Sequence, residues 1–236
     1  MADFKTHLTF SSLLGVGYGA GAYALYDVPL PTCLLAGGIC GVSGMLPDID
    51  SGAGKPLRES MAFAAAIVSV MAADRLKQFG LSPETIVLAC VGVYLLIRFA
   101  LAALLRRYTV HRGMFHSLPA AAIMGELAFL LASGDDVRLR IYKAGAVVIG
   151  YVSHLLLDEI YSLQWHRGRL RLKQSFGTAL KLVGHGWWPN VSTFTKLALL
   201  TYVVLREPGW MQQHYQQQIE PTIRQATNQV VDRTVR

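Results

Sequence analysis

Charged residues and cysteines are scarce in this chain. Asp, Glu, Lys and Arg make up 16% of its 236 residues, whereas soluble domains usually carry about 25%. With 53% hydrophobic residues, the chain is too apolar for that class. Its three cysteines, Cys33, Cys40 and Cys90, lie in apolar stretches without CxxC spacing, which argues against a disulfide framework and a thiolate zinc site. Nucleophile-elbow, P-loop, kinase and dinucleotide-binding motifs are also missing.

Long apolar stretches dominate what is present. They run roughly over 8–26, 30–46, 60–73, 84–105, 117–132, 142–160 and 191–205. A membrane-spanning helix needs about 20 residues, a length that 8–26, 84–105 and 142–160 reach. We therefore expect an all-α, polytopic membrane helix bundle with five to seven membrane helices. It forms one domain over residues 1–207, followed by a polar C-terminal tail over 208–236.

The net charge of +7 invites a nucleic-acid interpretation, but the positions of the basic residues favour a membrane topology. If the first six stretches all span, the side with the N-terminus receives Lys5, Lys55, Arg58, Arg106, Arg107, Arg112, Arg167, Arg169, Arg171, Lys173 and Lys181. The opposite side receives Arg75, Lys77, Arg138, Arg140 and Lys143. The positive-inside rule then places the N-terminus in the cytoplasm. We expect membrane lipids, and no nucleic acid, as partners; the oligomeric state stays open.

Four short polar motifs interrupt this apolar pattern at the ends of separate stretches. They are Thr6-His7, the segment 46–50, the segment 111–117 and the segment 154–158. Under the inferred topology all four lie on the cytoplasmic face. The candidate ligands are His7, Asp48, Asp50, His111, His116, His154 and Asp158. Histidine with aspartate suits Zn²⁺ or Mn²⁺, and ionisable groups at the edge of an apolar bundle indicate function.

Each motif alone has a simpler explanation. His154 and Asp158 are four residues apart and share one helix face, but such a pair can also cap a bundle by bonding to itself. His111 and His116 converge only if the chain turns at Gly113; otherwise they belong to a basic interfacial loop. A histidine as near the terminus as His7 is usually a surface residue.

Asp48 and Asp50 flank one residue just after a proline. Two carboxylates so close repel unless a cation or proton lies between them. Alternatively, both aspartates belong to a solvated loop, or one binds the metal and the other orients a metal ligand. The co-location of all the motifs favours a common metal site.

The motifs also carry a family resemblance. They read Thr-His-Leu-Thr-Phe-Ser at 6–11, Leu-Pro-Asp-Ile-Asp at 46–50, His-Arg-Gly-Met-Phe-His-Ser at 111–117 and Gly-Tyr-Val-Ser-His-Leu-Leu-Leu-Asp at 150–158. Their order, over roughly 5–162, resembles the YdjM-like family of bacterial inner-membrane proteins, described as membrane-bound metal-dependent hydrolases. The resemblance implies that the seven candidate ligands occupy the family's metal-site positions. Family members often continue with a Thr-Pro-rich segment, where this chain has Glu159-Ile160-Tyr161-Ser162, a departure that bears on the substrate.

The resulting expectation is a metal-dependent hydrolase at the cytoplasmic face of the inner membrane. His-x-x-x-Asp pairs are similar to those of zinc-dependent phospholipase C and related nucleases, which favours a phosphoester or lipid-derived substrate. Asp50 and Arg112 are the candidate catalytic residues, Asp50 as a base or ligand-orienting group and Arg112 as a phosphate-binding group. The alternative is a membrane metal-binding protein, a transporter or sensor, without hydrolytic activity. A structural scaffold and a metal-free phosphatase with a nucleophilic histidine are further rivals; the latter lacks its Ser-Gly-His triplet.

Overall fold

The architecture is an all-α helix bundle, as the sequence predicts. The computed structural model describes residues 3–50, 55–104, 114–134, 136–166, 169–172, 180–184 and 186–207; the side chains of 49–50, 55–60 and 163–172 lie outside the description. In chain order the helices are α1 (Phe4–Tyr26), α2 (Leu30–Ser43), a 3₁₀ helix (Leu46–Asp50), α3 (Lys55–Gln78), α4 (Pro83–Leu95) continued by a π-helical turn (Leu96–Leu101), α5 (Leu118–Leu131), α6 (Val137–Ile160) and α7 (Trp187–Leu205).

Three helical segments of the described chain are long and apolar enough to cross a membrane. They are Leu30–Asp48, Pro83–Leu104 and Val137–Ile160, and α5 is equally apolar but shorter. The total of five to seven membrane helices remains a prediction.

Local sequence sets where most helices begin. Ser117 caps α5 as expected, its hydroxyl accepting a hydrogen bond from the Ala120 amide at 3.3 Å, and Asp136 caps α6 in the same way. Prolines occupy the first turns of α2, α4 and α5, where a missing amide hydrogen costs nothing.

Two segments differ from the expected boundaries. The glycines and the proline that follow Asp48 in the sequence predict a non-helical loop over 48–59, but the 3₁₀ helix continues through Asp50 and α3 already begins at Lys55. Pro56 falls in the first turn of α3, where proline favours the helix instead of breaking it. A short antiparallel hairpin, β1 (Leu163–His166) with β2 (Arg169–Leu172), follows α6 and was not expected; Leu163 pairs with Leu172.

Helices α1 and α2 pack backbone to backbone through glycine. A Cβ added to Gly15 would overlap the Gly37 carbonyl oxygen, and one added to Gly19 would lie 2.9 Å from the Cys33 carbonyl oxygen. The expected pair on α1, Gly17 and Gly21, faces open space instead. Close approach of small residues is the usual way for apolar helices to associate in a membrane.

Helix α6 is the central element, packing against α1, α2 and α5. The main core cluster is built from α2, α3, α5 and α6, with Ile39, Met71, Phe129 and Val147 among its buried members. One polar cluster lies at the end of the bundle where α6 begins.

In that cluster the fully buried Arg140 donates hydrogen bonds to the Phe129 carbonyl oxygen at 3.2 Å and to Glu207 at 3.1 Å. Arg75 of α3 pairs with the same carboxylate. This arginine–glutamate cluster joins the chain beyond α7 to α3 and α6.

Candidate metal centre

The site lies at the C-terminal end of α6. His154 and Asp158 sit one helical turn apart and are 1% and 5% exposed. His154 Nε2 lies 3.9 Å from Asp158 Oδ2. The i, i+4 spacing thus places both donors on one face, as the sequence predicts.

The orientation of the His154 ring is fixed from its other nitrogen. Nδ1 lies 2.8 Å from the carbonyl oxygen of Gly44. A carbonyl can only accept, so Nδ1 carries the hydrogen and Nε2 carries the lone pair of the neutral ring. Nε2 is buried and makes no hydrogen bond to the described residues. A metal-binding histidine is typically held in this way, through a hydrogen bond from the nitrogen that does not ligate.

Gly44 can reach His154 because it has no side chain. A Cβ at this position would overlap the side chain of Ser11 in α1. Ser11 is itself buried and donates to the Gly41 carbonyl oxygen at 2.8 Å. The end of α2 therefore packs between α1 and α6, and this packing holds the Gly44 carbonyl oxygen against the His154 imidazole.

The 3₁₀ helix that follows α2 brings Asp48 to the site. Its Oδ1 lies 3.6 Å from His154 Nε2 and 3.6 Å from His116 Nε2. One carboxylate oxygen thus faces two imidazole nitrogens, one from α6 and one from the segment before α5. Asp50 belongs to the same 3₁₀ helix, but its side chain lies outside the described residues.

Helix α1 contributes His7, which sequence considerations alone made the weakest candidate. Its ring stacks on that of His154, with centroids 3.7 Å apart and planes 15° apart, and its Nε2 lies 3.3 Å from Asp158 Oδ1. The side chain is 2% exposed, and neither ring nitrogen makes a hydrogen bond to the described residues.

His116 completes the cluster from the segment that leads into α5. It is 2% exposed and meets the His154 ring edge-on, with centroids 5.7 Å apart. The neighbouring Phe115 carbonyl oxygen accepts a hydrogen bond from the buried Tyr151 hydroxyl, and Ser117 caps the helix that follows. These anchors on both sides hold His116 over α6.

The donor set fits a divalent ion. Ligands of one tetrahedral zinc ion lie about 3.3 Å apart when each bond is about 2.0–2.1 Å long. The nitrogen–oxygen separations at the site are 3.3, 3.6, 3.6 and 3.9 Å. Two groups have donors within 4.8 Å of one another, His7 with His154 and Asp158, and Asp48 with His116 and His154. The site also brings two carboxylates together, the buried Asp158 and the half-buried Asp48, and removing such charges from water calls for compensating positive charge.

The structure brings together five of the seven predicted ligands. His7, Asp48, His116, His154 and Asp158 meet at one end of the bundle. His111 and Arg112 lie outside the described residues, as does the Asp50 side chain. Sequence considerations missed Gly44, which positions His154, and Tyr151, which positions His116 through the Phe115 carbonyl. The available signals were a glycine directly after α2 and the Gly-Tyr pair that precedes the Ser-His motif.

The comparisons with known proteins identify the family of this chain. The model of the YdjM inner membrane protein family matches residues 1–169, the span that contains all four motifs. No curated protein and no solved structure matches the chain. The chain belongs to the YdjM inner membrane protein family, and it is a membrane protein.

Proposed function

We propose that this chain is a membrane-bound metal-dependent hydrolase that acts on a phosphoester or lipid-derived substrate at the cytoplasmic face of the membrane. The observation that carries the proposal is the His154 imidazole. Its Nδ1 is fixed by the Gly44 carbonyl, and its buried Nε2 faces carboxylate oxygens of Asp48 and Asp158. A structural histidine would donate a hydrogen bond to one of these oxygens, whereas this nitrogen lies 3.6 and 3.9 Å from them and makes no hydrogen bond to the described residues.

The ion is a divalent metal, with Zn²⁺ or Mn²⁺ matching the histidine and aspartate donors. His7, Asp48, His116, His154 and Asp158 would hold it, and the predicted ligand His111 extends the set. When bound, such an ion supplies Lewis-acid chemistry, making water a nucleophile near neutral pH and polarising a phosphoryl or acyl oxygen.

The chain's own residues supply the remaining tasks. Asp50 follows Asp48 by two residues, so it is hard for both carboxylates to face one ion, and Asp50 would accept a proton or orient a ligand. Arg112 would bind the phosphate of the substrate through its planar guanidinium. The buried donors exclude bulk water from the ligands.

Placement of the site supports an enzyme over a transporter. The five donors lie at helix ends, namely the start of α1, the helix after α2, the segment before α5 and the end of α6. A transporter would instead hold its ion near the bilayer midplane. The excess of Lys and Arg on the side of these ends supports a cytoplasmic position for the site.

Metal content and turnover test the proposal together. The purified protein should contain a stoichiometric divalent ion, and alkyl phosphates or phospholipids should be hydrolysed in a reaction that chelation abolishes and Zn²⁺ or Mn²⁺ restores. His154→Ala and Asp158→Ala should lose the ion, while His166→Ala, outside the motifs, should keep it. Unchanged metal content in both site variants would disprove the centre. Bound metal without turnover across the substrate panel would identify a metal-binding transporter or sensor.

A further inference from the structure

An apolar cavity of about 460 Å³ lies inside the bundle. Its volume falls within the range of roughly 300–1,000 Å³ that is usual for ligand pockets. The walls come from α2, α3, the π-helical turn, α5 and α6, and they are almost entirely aliphatic or aromatic. Polar ligands would find very few partners there.

One end of the cavity adjoins the metal centre. Leu46 lines it and begins the 3₁₀ helix that carries Asp48. Phe115, another lining residue, directly precedes His116. The cavity and the donor cluster are therefore built on the same two segments of the chain.

The cavity is elongated along the helices. On α3 its wall extends from Met61 to Met71, which corresponds to roughly 15 Å at about 1.5 Å per residue. On α5 it continues as far as Leu131, at the end of the helix away from His116. A long, narrow apolar space matches a hydrocarbon chain better than a compact ligand.

The π-helical turn contributes to this wall. Ile97 and Leu101, which line the cavity, belong to the turn Leu96–Leu101. A π-helical turn widens the backbone at a cost in hydrogen-bond geometry, and such turns often occur at functional sites. Here two residues of the turn form part of the cavity wall.

We propose that this cavity holds the hydrocarbon tail of a membrane lipid whose phosphoryl head lies at the metal centre. The inference rests on the proposed hydrolase function and narrows its substrate class to phosphoesters with a long alkyl or acyl chain. A dispersed alkyl phosphate with a long chain should bind more tightly than one with a short chain, because more of its chain leaves water when it enters the cavity. The head supplies the group that reacts.

Helix α3 offers matched variants for the test. Ala64→Phe fills the cavity, whereas Ala66→Phe adds the same ring on an exposed position two residues away. Val68→Phe and Val70→Phe form a second pair, because Val68 lines the cavity and Val70 is 60% exposed. The two pairs keep the test usable if one filled variant does not fold.

The first measurement compares the hydrolysis of butyl phosphate and hexadecyl phosphate by the metal-loaded protein. Wild-type protein should have a much lower KM for hexadecyl phosphate. Ala64→Phe and Val68→Phe should raise that KM roughly five- to a hundredfold, leaving butyl phosphate turnover and both control variants unchanged. Equal KM values for the two substrates in wild-type protein, insensitive to the variants, would overturn the tail site while the hydrolase stands.

The second measurement does not depend on turnover. Hexadecyl phosphate with a photoreactive diazirine at the end of its chain should crosslink to cavity residues such as Met124, and the two filled variants should lose this crosslink. Crosslinking confined to outward positions such as Leu88 would refute the cavity site. Specific cavity crosslinking without hydrolysis of any alkyl phosphate would leave the tail site standing and remove the hydrolase.

Discussion

Replacing Gly150 with alanine should force α2 away from α6 and weaken the metal centre. The Cβ of an alanine would overlap the Cys40 carbonyl oxygen and the Ser43 hydroxyl. The hydroxyl can rotate away, but the carbonyl belongs to the α2 backbone. Since an ordinary contact of a Cβ is 3.4–4 Å, α2 must move by about 1 Å.

The movement reaches the site because Gly44 follows α2 directly. Its carbonyl oxygen now lies 2.8 Å from His154 Nδ1, and a shift of about 1 Å takes the pair beyond hydrogen-bonding distance. Overpacking lowers the free energy of unfolding by about 1–3 kcal/mol. Loss of the hydrogen bond that orients a ligand lowers metal affinity by about 10- to 100-fold.

Zinc titration of chelator-treated protein in detergent measures the affinity, and thermal unfolding with and without zinc measures the stability. Gly38→Ala is the control, since this α2 glycine has open space where the Cβ would lie. It should keep the wild-type affinity. If Gly150→Ala binds zinc as tightly as Gly38→Ala, the Gly44 carbonyl does not support the centre and the reasoning fails.

Three further tests address the topology, the arginine–glutamate cluster and Asp50. In a cysteine-free background, cysteines placed beside Gly52 and Thr109 should be labelled only from the cytoplasmic side, and one beside Gly134 only from outside. If the Gly52 and Thr109 positions are labelled from opposite sides, the motifs do not share one face of the membrane. Burial raises the pKa of Glu207, but its bonds to two arginines outweigh this and leave the pKa below its ordinary value of 4.5. The Glu207 carboxylate therefore contributes to stability above about pH 4.5, and this contribution is lost as the pH falls further. Thermal unfolding of Glu207→Gln should show a smaller loss of stability than wild type over that acidic range. Equal losses in the two proteins would show that the ion pairs of Glu207 do not contribute to stability. Asp50→Asn should keep its metal and lose turnover. Loss of metal would show that Asp50 is a ligand, and normal metal content with normal turnover would show that Asp50 is a solvated residue.

The parts of the site that follow from local periodicity could be predicted from sequence. His154 and Asp158 share a face because a helix repeats every 3.6 residues. The sequence also predicts that Asp48 and His116 join them, because alternating spans would return the chain to one side of the membrane. Ser117 caps α5 because its hydroxyl can satisfy the first free amides.

Features that depend on long-range packing could not be predicted. The Gly44 carbonyl that sets the His154 tautomer is 110 residues away along the chain, and no local pattern joins them. The alternate glycines of α1 form two helix faces, about 160° apart, and either could have packed against another helix. Only the packing against α2 selects Gly15 and Gly19 over Gly17 and Gly21. The burial of His7 likewise depends on where α1 meets α6.

The pairing of Glu207 with Arg140 sets a lower limit on the length of chain that can fold by itself. The family match ends at residue 169, yet the carboxylate that neutralises a fully buried guanidinium lies 38 residues later. A protein cut at the end of the match would leave Arg140 in an apolar interior without its counter-charge, a loss of about 3–5 kcal/mol for a buried pair. An expression truncation should therefore retain α7 and the residues up to Glu207, and affinity tags belong beyond them.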